Sequence, residues 1–353
     1  MMEPAKKPKK KKIIIVSIVF ALLVALTGGY FLLKGKSPIS LSLKPEIKIS
    51  FKGSKLQELV PCPMDGVLTT KDRASRHPIA VSIENYPDAR PQSGLNEASL
   101  VYETPTEGGI TRFLAFYVEN DVSELGPVRS ARIYFLDWLL EFDAPFAHCG
   151  GNADALAEIK TLDIKDLDEF TYAAPYWRSK DRYAPHNLYT STENLWNQAT
   201  KNNWTDPISY ESWQYKDDLL ESNRSKDGQI NIQYANPSFR VSYIYNPKDN
   251  NYLRSYSGKA HIDEPTQKQL SSKNVALMWV STWPLYDPEN GWAIKTISEG
   301  QAKVFLDGKV VSGTWRKTSR ENRTKFFDES GSEIVFNRGQ TWICVLPQGT
   351  EIN

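Results

Sequence analysis

The chain has 353 residues, of which 40% are hydrophobic and 12% aromatic, and its formal net charge is +1 at pH 7. Such a composition excludes a disordered stalk, because a chain this apolar can bury a substantial core. Residues 1–34 hold seven Lys and one Glu, so 36 of the 43 basic and 41 of the 42 acidic residues lie beyond them. That mildly acidic remainder argues against a nucleic-acid-binding face, so no nucleic-acid partner is predicted.

The N-terminus combines a basic block with one long apolar run. Six lysines between positions 6 and 12 precede the uncharged segment 13–33. As a helix, that segment is long enough to cover the ~30 Å hydrocarbon core of a membrane. Because lysines mark the cytoplasmic side, we predict a cytoplasmic basic tail (1–12), a single-pass anchor in the plasma membrane (13–33) and the bulk of the chain outside. A cleaved signal peptide stays open as an alternative, although no clear small-residue cleavage site ends the run.

Three cysteines, Cys62, Cys149 and Cys344, lie far apart and match no CxxC or Cys/His pattern. We therefore predict no metal site and no cofactor. A chain outside the membrane with so few cysteines does not depend on a disulfide framework, although one Cys62–Cys344 bridge remains an open alternative.

Residues 34–60 mix Lys, Ser, Gly and Pro and are predicted to be a linker. From there the chain alternates strand and helix patterns up to about residue 205. Apolar runs predict strands at 78–83, 99–103, 111–118 and 144–148, and apolar spacing predicts helices at 132–142, from Asn152 to 159, and from Ser191 onward. The Asn152 side chain is predicted to cap the second helix, and Ser191 or Thr192 the third, because such side chains accept backbone N–H groups at a helix start. This alternation indicates an N-terminal three-layer α/β domain spanning 61–205.

Residues 206–236 are polar and turn-rich, which predicts a second linker. A mostly-β C-terminal domain should occupy 237–350, with strands at 240–245, 252–256, 275–280, 302–306, 333–336 and 341–346. Asp307-Gly308 is a hairpin turn signal. The predicted fold class is therefore α+β: a transmembrane helix, a three-layer α/β domain and a mostly-β domain.

The polar, glycine-rich segment 85–132 carries the candidate ligand-binding residues. Arg112, Arg129 and Arg132 lie at boundaries between loops and predicted strands or helices, where rigid guanidinium groups suit phosphate or carboxylate. Arg132 directly precedes a predicted helix, whose N–H groups favour an anion. The same arginines could instead pair with Glu84, Glu103, Glu107 or Asp137 in a structural network. The other candidate ligand-binding residues are Asn85, Arg90, His148, His186 and Asn187.

No catalytic residue can be assigned, but three are candidates. Glu103 and Glu107 form a carboxylate pair of the kind that glycosidases use, and His148 follows a predicted strand and precedes two glycines. Each histidine could act as an acid or base, or could simply hold a loop in place through backbone hydrogen bonds. No nucleophile-elbow, zincin, P-loop or dinucleotide-binding motif is present.

Several motifs resemble the YerB-like family of bacterial envelope proteins. They are PCPMDG at 61–66, RPQSGL at 90–95, EGGITRFL at 107–114, GPVRSAR at 126–132, HCGG at 148–151 and HNLY at 186–189, followed by the stretch 308–342. The resemblance covers about 60–347 and implies an N-terminal and a C-terminal domain outside the membrane, with no assigned function or catalytic residue. This sequence departs from the family in carrying an apolar span where a lipid-modified cysteine is typical.

Three functional hypotheses follow. The first is a membrane-anchored extracytoplasmic accessory protein of the cell envelope that binds an anionic ligand, such as a lipid-linked phosphate, a cell-wall carboxylate or an anionic polymer. The second is a cell-wall hydrolase or glycopolymer transferase that uses Glu103 or Glu107 with His148. The third is a scaffold that contacts an unknown protein partner through aromatic residues, namely Trp279, Trp283, Trp292 or Trp315.

Overall fold

The computed structural model describes residues 58–207, 209–285 and 291–353. The predicted basic tail and membrane span lie outside these residues, as does most of the predicted linker 34–60. In the described part, no helix is both long and apolar enough to cross a membrane.

The described chain is mixed α+β, with many strands and few helices. The strands are β1 (Leu59–Pro61), β2 (Leu68–Thr70), β3 (Ile79–Glu84), β4 (Leu100–Pro105), β5 (Thr111–Tyr117), β6 (Phe146–His148), β7 (Asp166–Asp168), β8 (Trp177–Arg178), β9 (Leu188–Tyr189), β10 (Tyr215–Lys216), β11 (Gln229–Ile232), β12 (Val241–Asn246), β13 (Asn251–Tyr256), β14 (Lys259–Ala260), β15 (Ser271–Ser272), β16 (Asn274–Val280), β17 (Thr282–Pro284), β18 (Trp292–Ile294), β19 (Ser298–Leu306), β20 (Lys309–Lys317), β21 (Lys325–Asp328), β22 (Phe336–Asn337) and β23 (Thr341–Pro347). The α-helices are α1 (Lys71–Ala74), α2 (Ile133–Leu139), α3 (Ala153–Thr161) and α4 (Thr192–Lys201).

A ten-stranded mixed sheet forms the centre, in the order β21-β20-β19-β16-β23-β4-β5-β3-β6-β7. The strands β16, β23, β4, β3, β6 and β7 run in the same direction, so their carboxyl ends meet at one edge. β23 pairs in parallel with β16 on one side and β4 on the other, which places Ile343 opposite both Ala276 and Tyr102. The segments predicted as N-terminal and C-terminal domains therefore contribute strands to one sheet.

Both faces of the strands β16, β23, β4, β5, β3 and β6 are buried, which explains the continuous apolar runs in these strands. Along β4, Leu100 and Tyr102 face a core that also contains α2 and α3, which we call the helix-side core. Val101 faces the opposite way, into a core shared with α4 and with the small antiparallel sheet of β11, β12 and β13, which we call the second core. Strand periodicity thus divides alternate residues between two hydrophobic layers.

The helices begin close to the predicted positions. α2 is buried along most of its length, and Trp138 stacks on Tyr102 with ring centroids 4.5 Å apart. Ser191 caps α4 as predicted, because its Oγ accepts the Asn194 N–H at 3.1 Å. Asn152 occupies the N-cap position of α3 but its side chain accepts no backbone N–H there, so the predicted side-chain cap is wrong.

Two segments differ from the strand and linker predictions. The predicted linker 206–236 contains β10 and β11, and its Trp213 is buried and stacked on Phe336 with centroids 4.4 Å apart. In place of the predicted strand 333–336, only β22 is present. The Asp307-Gly308 turn joins β19 to β20 as predicted.

All three cysteines are free. Cys62 belongs to the helix-side core and Cys344 to the second core, so the central sheet separates them. The Cys62–Cys344 bridge left open by the sequence is therefore excluded.

Candidate functional site

The candidate arginines lie where the parallel strands β3 and β4 end. Glu84 is the last residue of β3 and is opposite Arg112 of β5 in the sheet. The loop before α2 reaches the same place, because the Arg129 N–H donates to the carbonyl oxygen of Ser82 at 2.8 Å, and Arg132 directly precedes the helix. Ligand sites in sheets of this kind are found at this edge. We call Glu84, Glu107, Arg112, Arg129, Arg132 and His186 the edge cluster.

Glu107 binds two of the three arginines. Its Oε2 lies 2.9 Å from Nε of Arg132, its Oε1 also contacts Nη2 of that residue, and Oε1 is 3.5 Å from Nη2 of Arg112. Burial alone would raise the pKa of Glu107, but the Arg132 hydrogen bond and the two guanidinium charges lower it below its ordinary value. Burial and the charge of Arg132 lower the pKa of Arg112 to about 10. These three residues form a structural ion-pair network.

Glu84 joins the other two basic residues of the cluster. Its Oε1 is 3.3 Å from Nε of Arg129, and its Oε2 is 3.0 Å from Nδ1 of His186. The Glu84 side chain is 5% exposed, whereas those of Arg129 and His186 are 29% and 21% exposed. Among the described residues, neither Nη atom of Arg129 nor Nε2 of His186 has a protein partner. Arg129 and His186 are therefore the members of the cluster that can contact a ligand.

Three exposed aromatic rings belong to segments that contact these two residues or the loop that carries Arg129. Tyr86, Phe170 and Tyr183 are 42%, 76% and 89% exposed. The Tyr86 ring stacks on His186 with an interplanar angle of 8°, and the His186 N–H donates to the Tyr183 carbonyl oxygen. Phe170 packs beside Gly150, whose carbonyl oxygen accepts the N–H of Ala131 in the arginine-bearing loop. Tyr86 is thus an exposed ring in direct contact with a member of the edge cluster.

His148 and Asn187 shape the loops around the cluster. The His148 side chain is fully buried, with Nδ1 2.8 Å from the Gly150 carbonyl oxygen and Nε2 2.8 Å from Oδ1 of Asp166. The amide of Asn187 donates to the carbonyl oxygen of Ser179 at 3.1 Å. Both side chains are committed to holding backbone segments, which is the structural alternative considered for histidine above.

Asn85, Arg90 and Glu103 lie on the other face of the sheet, away from the edge cluster. The Thr111 hydroxyl donates to Oε1 of Glu103 at 2.8 Å, and Nη2 of Arg254 lies 2.8 Å from its Oε2. Arg90 donates through Nε to Oδ1 of Asn85 at 3.2 Å. Ile83 faces the second core, so the next residue, Glu84, points to the opposite face of the sheet. Asn85 instead donates to Glu103, which lies on the second-core face.

The three candidate catalytic residues do not converge. Glu103 contacts Arg254 in the second core, Glu107 contacts Arg132 in the edge cluster, and His148 contacts Asp166. Each therefore has a separate environment, and the structure brings together no acid–base pair from this set.

Arg254 and His261 are polar residues that the sequence reasoning missed. Arg254 is 1% exposed and donates through Nε to Nδ1 of His261 at 3.1 Å. The sequence does contain an indication of this. Arg254 alternates with Tyr252 and Tyr256 along β13, and all three side chains are buried. A charged residue at such a position must find a buried partner.

One set of side chains in the described ranges has metal-ligand chemistry, namely Cys62, Asp65 and Glu119, whose ligand atoms lie within 4.8 Å of one another. All three residues are buried. The Cys62 thiol donates to Oε2 of Glu119 at 3.5 Å and the Ser99 hydroxyl donates to the same oxygen at 2.9 Å. Glu119 is thus hydrogen-bonded to both Cys62 and Ser99.

The tryptophans of the scaffold hypothesis fall into two groups. Trp315 and Trp279 are 1% and 9% exposed, and Nε1 of Trp315 donates to the Trp279 carbonyl oxygen. Trp292 is partly buried, and Trp283 is 49% exposed. Two of the four are therefore core residues.

The fold and the edge cluster define a class of α+β proteins in which two successive segments share one central sheet. The chain belongs to the family described as "Protein of unknown function (DUF3048)", whose N-terminal domain matches residues 65–205 and whose C-terminal domain matches 230–343.

A curated relative, "Putative lipoprotein YerB" of Bacillus subtilis (strain 168), is 30% identical over 291 residues, covering 81% of this chain and 86% of the relative. The crystal structure of YerB from Bacillus subtilis is similar with a TM-score of 0.75 at 27% identity, covering 83% of this chain and 99% of that one. The YerB-like resemblance of the sequence motifs is confirmed.

Proposed function

We propose that this protein is attached to the bacterial plasma membrane and binds an anionic polymer of the cell envelope on the outer side. The observation that carries the proposal is the environment of Arg129: its Nε lies 3.3 Å from Glu84, its side chain is 29% exposed, and neither Nη atom has a protein partner in the described part of the chain. A guanidinium group in this state offers paired donors to a phosphate or carboxylate.

The location outside the membrane is supported by two observations. The basic block and apolar run at 6–33 have the pattern of a cytoplasmic tail and an anchor. The relative YerB carries the name of a lipoprotein, which is a protein attached to a membrane by a lipid. An anchored protein of this kind meets envelope polymers at the membrane surface.

The polymer, rather than a free ion, is supported by the rings around the cluster. Tyr86, which stacks on His186, is exposed, and so are Phe170 and Tyr183 in the neighbouring loops. An inorganic anion would gain nothing from these rings, whereas a chain of alternating anionic groups and sugars or polyols can contact both them and the guanidinium group.

The test measures binding of a glycerol phosphate polymer to the full-length protein by calorimetry, with dextran as the neutral control. We expect Arg129→Ala to weaken binding about tenfold or more, because one charge-assisted contact is lost. Arg316→Ala is the matched control. Arg316 lies in β20, is exposed, and pairs with Glu299 of β19, away from the edge cluster.

Binding should also weaken as salt is raised, because exposed charges are screened. An affinity that is unchanged in Arg129→Ala, or equal binding of dextran, would overturn the proposal.

A further inference from the structure

A separate cavity lies between the loop after β3 and the hairpin of β13 and β14. Its volume is about 410 Å³, near the lower end of the range for small-molecule sites. Its walls carry two cationic side chains, Arg90 and Lys259, together with the rings of Tyr256 and His261 and the hydroxyl groups of Ser238 and Ser257. Arg90 falls in the segment matched by the N-terminal family model and Tyr256 in that matched by the C-terminal one.

Arg90 is fixed at the wall of this cavity. Its guanidinium carbon lies 3.9 Å from the centroid of the Tyr256 ring and 4.8 Å from that of Phe239. Its nitrogens donate to Oδ1 of Asn85 at 3.2 Å, to the carbonyl oxygen of Asn85 at 3.0 Å and to that of Ser238 at 2.9 Å. These acceptors are all neutral, and no carboxylate of the described residues forms an ion pair with Arg90.

The ionisable groups next to Arg90 do not provide it with a carboxylate partner of its own. Glu103, the carboxylate that interacts with Arg90 across the network, is already paired with Arg254 at 2.8 Å. His261 is neutral, because its Nδ1 accepts from Arg254 at 3.1 Å and its Nε2 then donates to Oε1 of Gln92 at 2.6 Å. Burial and the two nearby arginine charges lower the pKa of His261 well below its ordinary value, in agreement with this geometry.

Two guanidinium groups thus share one carboxylate, and Lys259 adds a further exposed cation at the rim. Burial and the charge of Arg254 both act to lower the pKa of Arg90. An anion in the cavity would supply the missing charge, and the apolar walls formed by Pro87, Pro91 and Ile262 would contact a nonpolar group attached to it.

We propose that this cavity is a second ligand site, which binds one phosphate or carboxylate group carried by a compact apolar molecule. Arg90 holds the anionic group, Lys259 assists from the rim, and Pro87, Pro91 and Ile262 contact the apolar part. The site is distinct from the edge cluster, because Arg90 is linked through Asn85 to Glu103 on the second-core face of the sheet, whereas Glu84 points to the opposite face.

The test titrates the full-length protein with phenyl phosphate, benzoate, inorganic phosphate and the neutral benzyl alcohol. We expect phenyl phosphate or benzoate to bind saturably, inorganic phosphate to bind at least tenfold more weakly, and benzyl alcohol to show no binding. Comparing the two aromatic anions identifies whether the group is a phosphate or a carboxylate.

Three variants locate the binding. Arg90→Gln should reduce affinity at least tenfold and Lys259→Ala several-fold. Ala260→Trp places a large ring at the exposed cavity wall without touching the buried network, so it should abolish binding even if Arg90→Gln does not fold. The control is Arg316→Ala, at an exposed arginine outside both proposed sites, which should leave the affinity unchanged.

Absence of binding by both aromatic anions, or full binding in Ala260→Trp, would overturn the second site. Loss of binding in Arg129→Ala would overturn it too, by assigning these anions to the edge cluster. Polymer binding by the edge cluster is measured separately, so the two proposals can fail independently.

Discussion

Arg254 of β13 and Glu103 of β4 form an ion pair whose side chains are 1% and 0% exposed, with Nη2 2.8 Å from Oε2. Burial alone would lower the pKa of Arg254, but the carboxylate of Glu103 and the neighbouring tyrosines raise it well above its ordinary value. The pair joins the segment matched by the N-terminal family model to that matched by the C-terminal model.

Removing one partner of this pair should therefore be costly. We expect Arg254→Leu to lower the free energy of unfolding by about 3–5 kcal/mol, because Glu103 is left as an unpaired buried charge. The double variant with Glu103→Leu should recover much of that loss. Denaturant unfolding measures both, with Arg316→Ala as the exposed control expected to change stability by no more than about 0.5 kcal/mol. Equal effects of Arg254→Leu and Arg316→Ala would contradict the role of the pair.

Glu107 should make stability depend on acid. Its folded-state pKa is lowered, so the stabilisation is present above its unfolded pKa and is lost as pH falls through the folded value. At pH 7, Glu107→Gln should be less stable than wild type by about 2 kcal/mol, because the buried Arg112 loses its partner. The difference should shrink as the pH is lowered towards 3. Denaturant unfolding at both pH values tests this, and a pH-independent difference would speak against the ion-pair network.

Asp65 should change the pH dependence of stability in the opposite direction to Glu107. Burial and the nearby Glu119 carboxylate raise its pKa well above the ordinary value. The folded state then retains a proton that the unfolded state releases, so stability falls as pH rises above the unfolded pKa. Asp65→Asn should raise the melting temperature at pH 7, since an amide oxygen can still accept the Val67 N–H bonded at 3.0 Å. A lower melting temperature in the variant, together with sensitivity of the wild type to EDTA, would instead indicate a cation held by Cys62, Asp65 and Glu119.

Gly313 of β20 is a steric requirement of the central sheet. A Cβ at this position would lie 1.9 Å from the Phe327 carbonyl oxygen in β21, so Gly313→Ala must displace backbone. We expect a loss of several kcal/mol in unfolding free energy. Gly331 is the control: its φ of +81° is unfavourable for alanine, but its Cβ would meet open space, so Gly331→Ala should cost about 1 kcal/mol. Similar losses of stability in both variants would mean that the close approach of β20 to β21 is not the reason for glycine at position 313.

The sequence predicted the main strands well because burial on both faces leaves long apolar runs such as 275–280. The sequence could not show that Glu103 and Glu107 have different surroundings. Their spacing of four residues does not reveal that Glu103 lies in a strand and Glu107 in the loop that follows it. Nor could it predict that Arg254 pairs with Glu103, because such a contact depends on how β13 packs against the central sheet. Three of the motifs that carry the family resemblance, at 107–114, 126–132 and 186–189, contain residues of the edge cluster.

The placement of β23 has a consequence for the order in which the protein can fold. This strand is inserted between β16 and β4, yet every other strand of the central sheet precedes it in the chain. Until it emerges, β4 and β16 keep unpaired hydrogen-bonding groups, and neither half can complete its core. A chain that emerges from its N-terminal side would thus be unable to complete the central sheet, and would be open to pairing with other chains, until β23 becomes available.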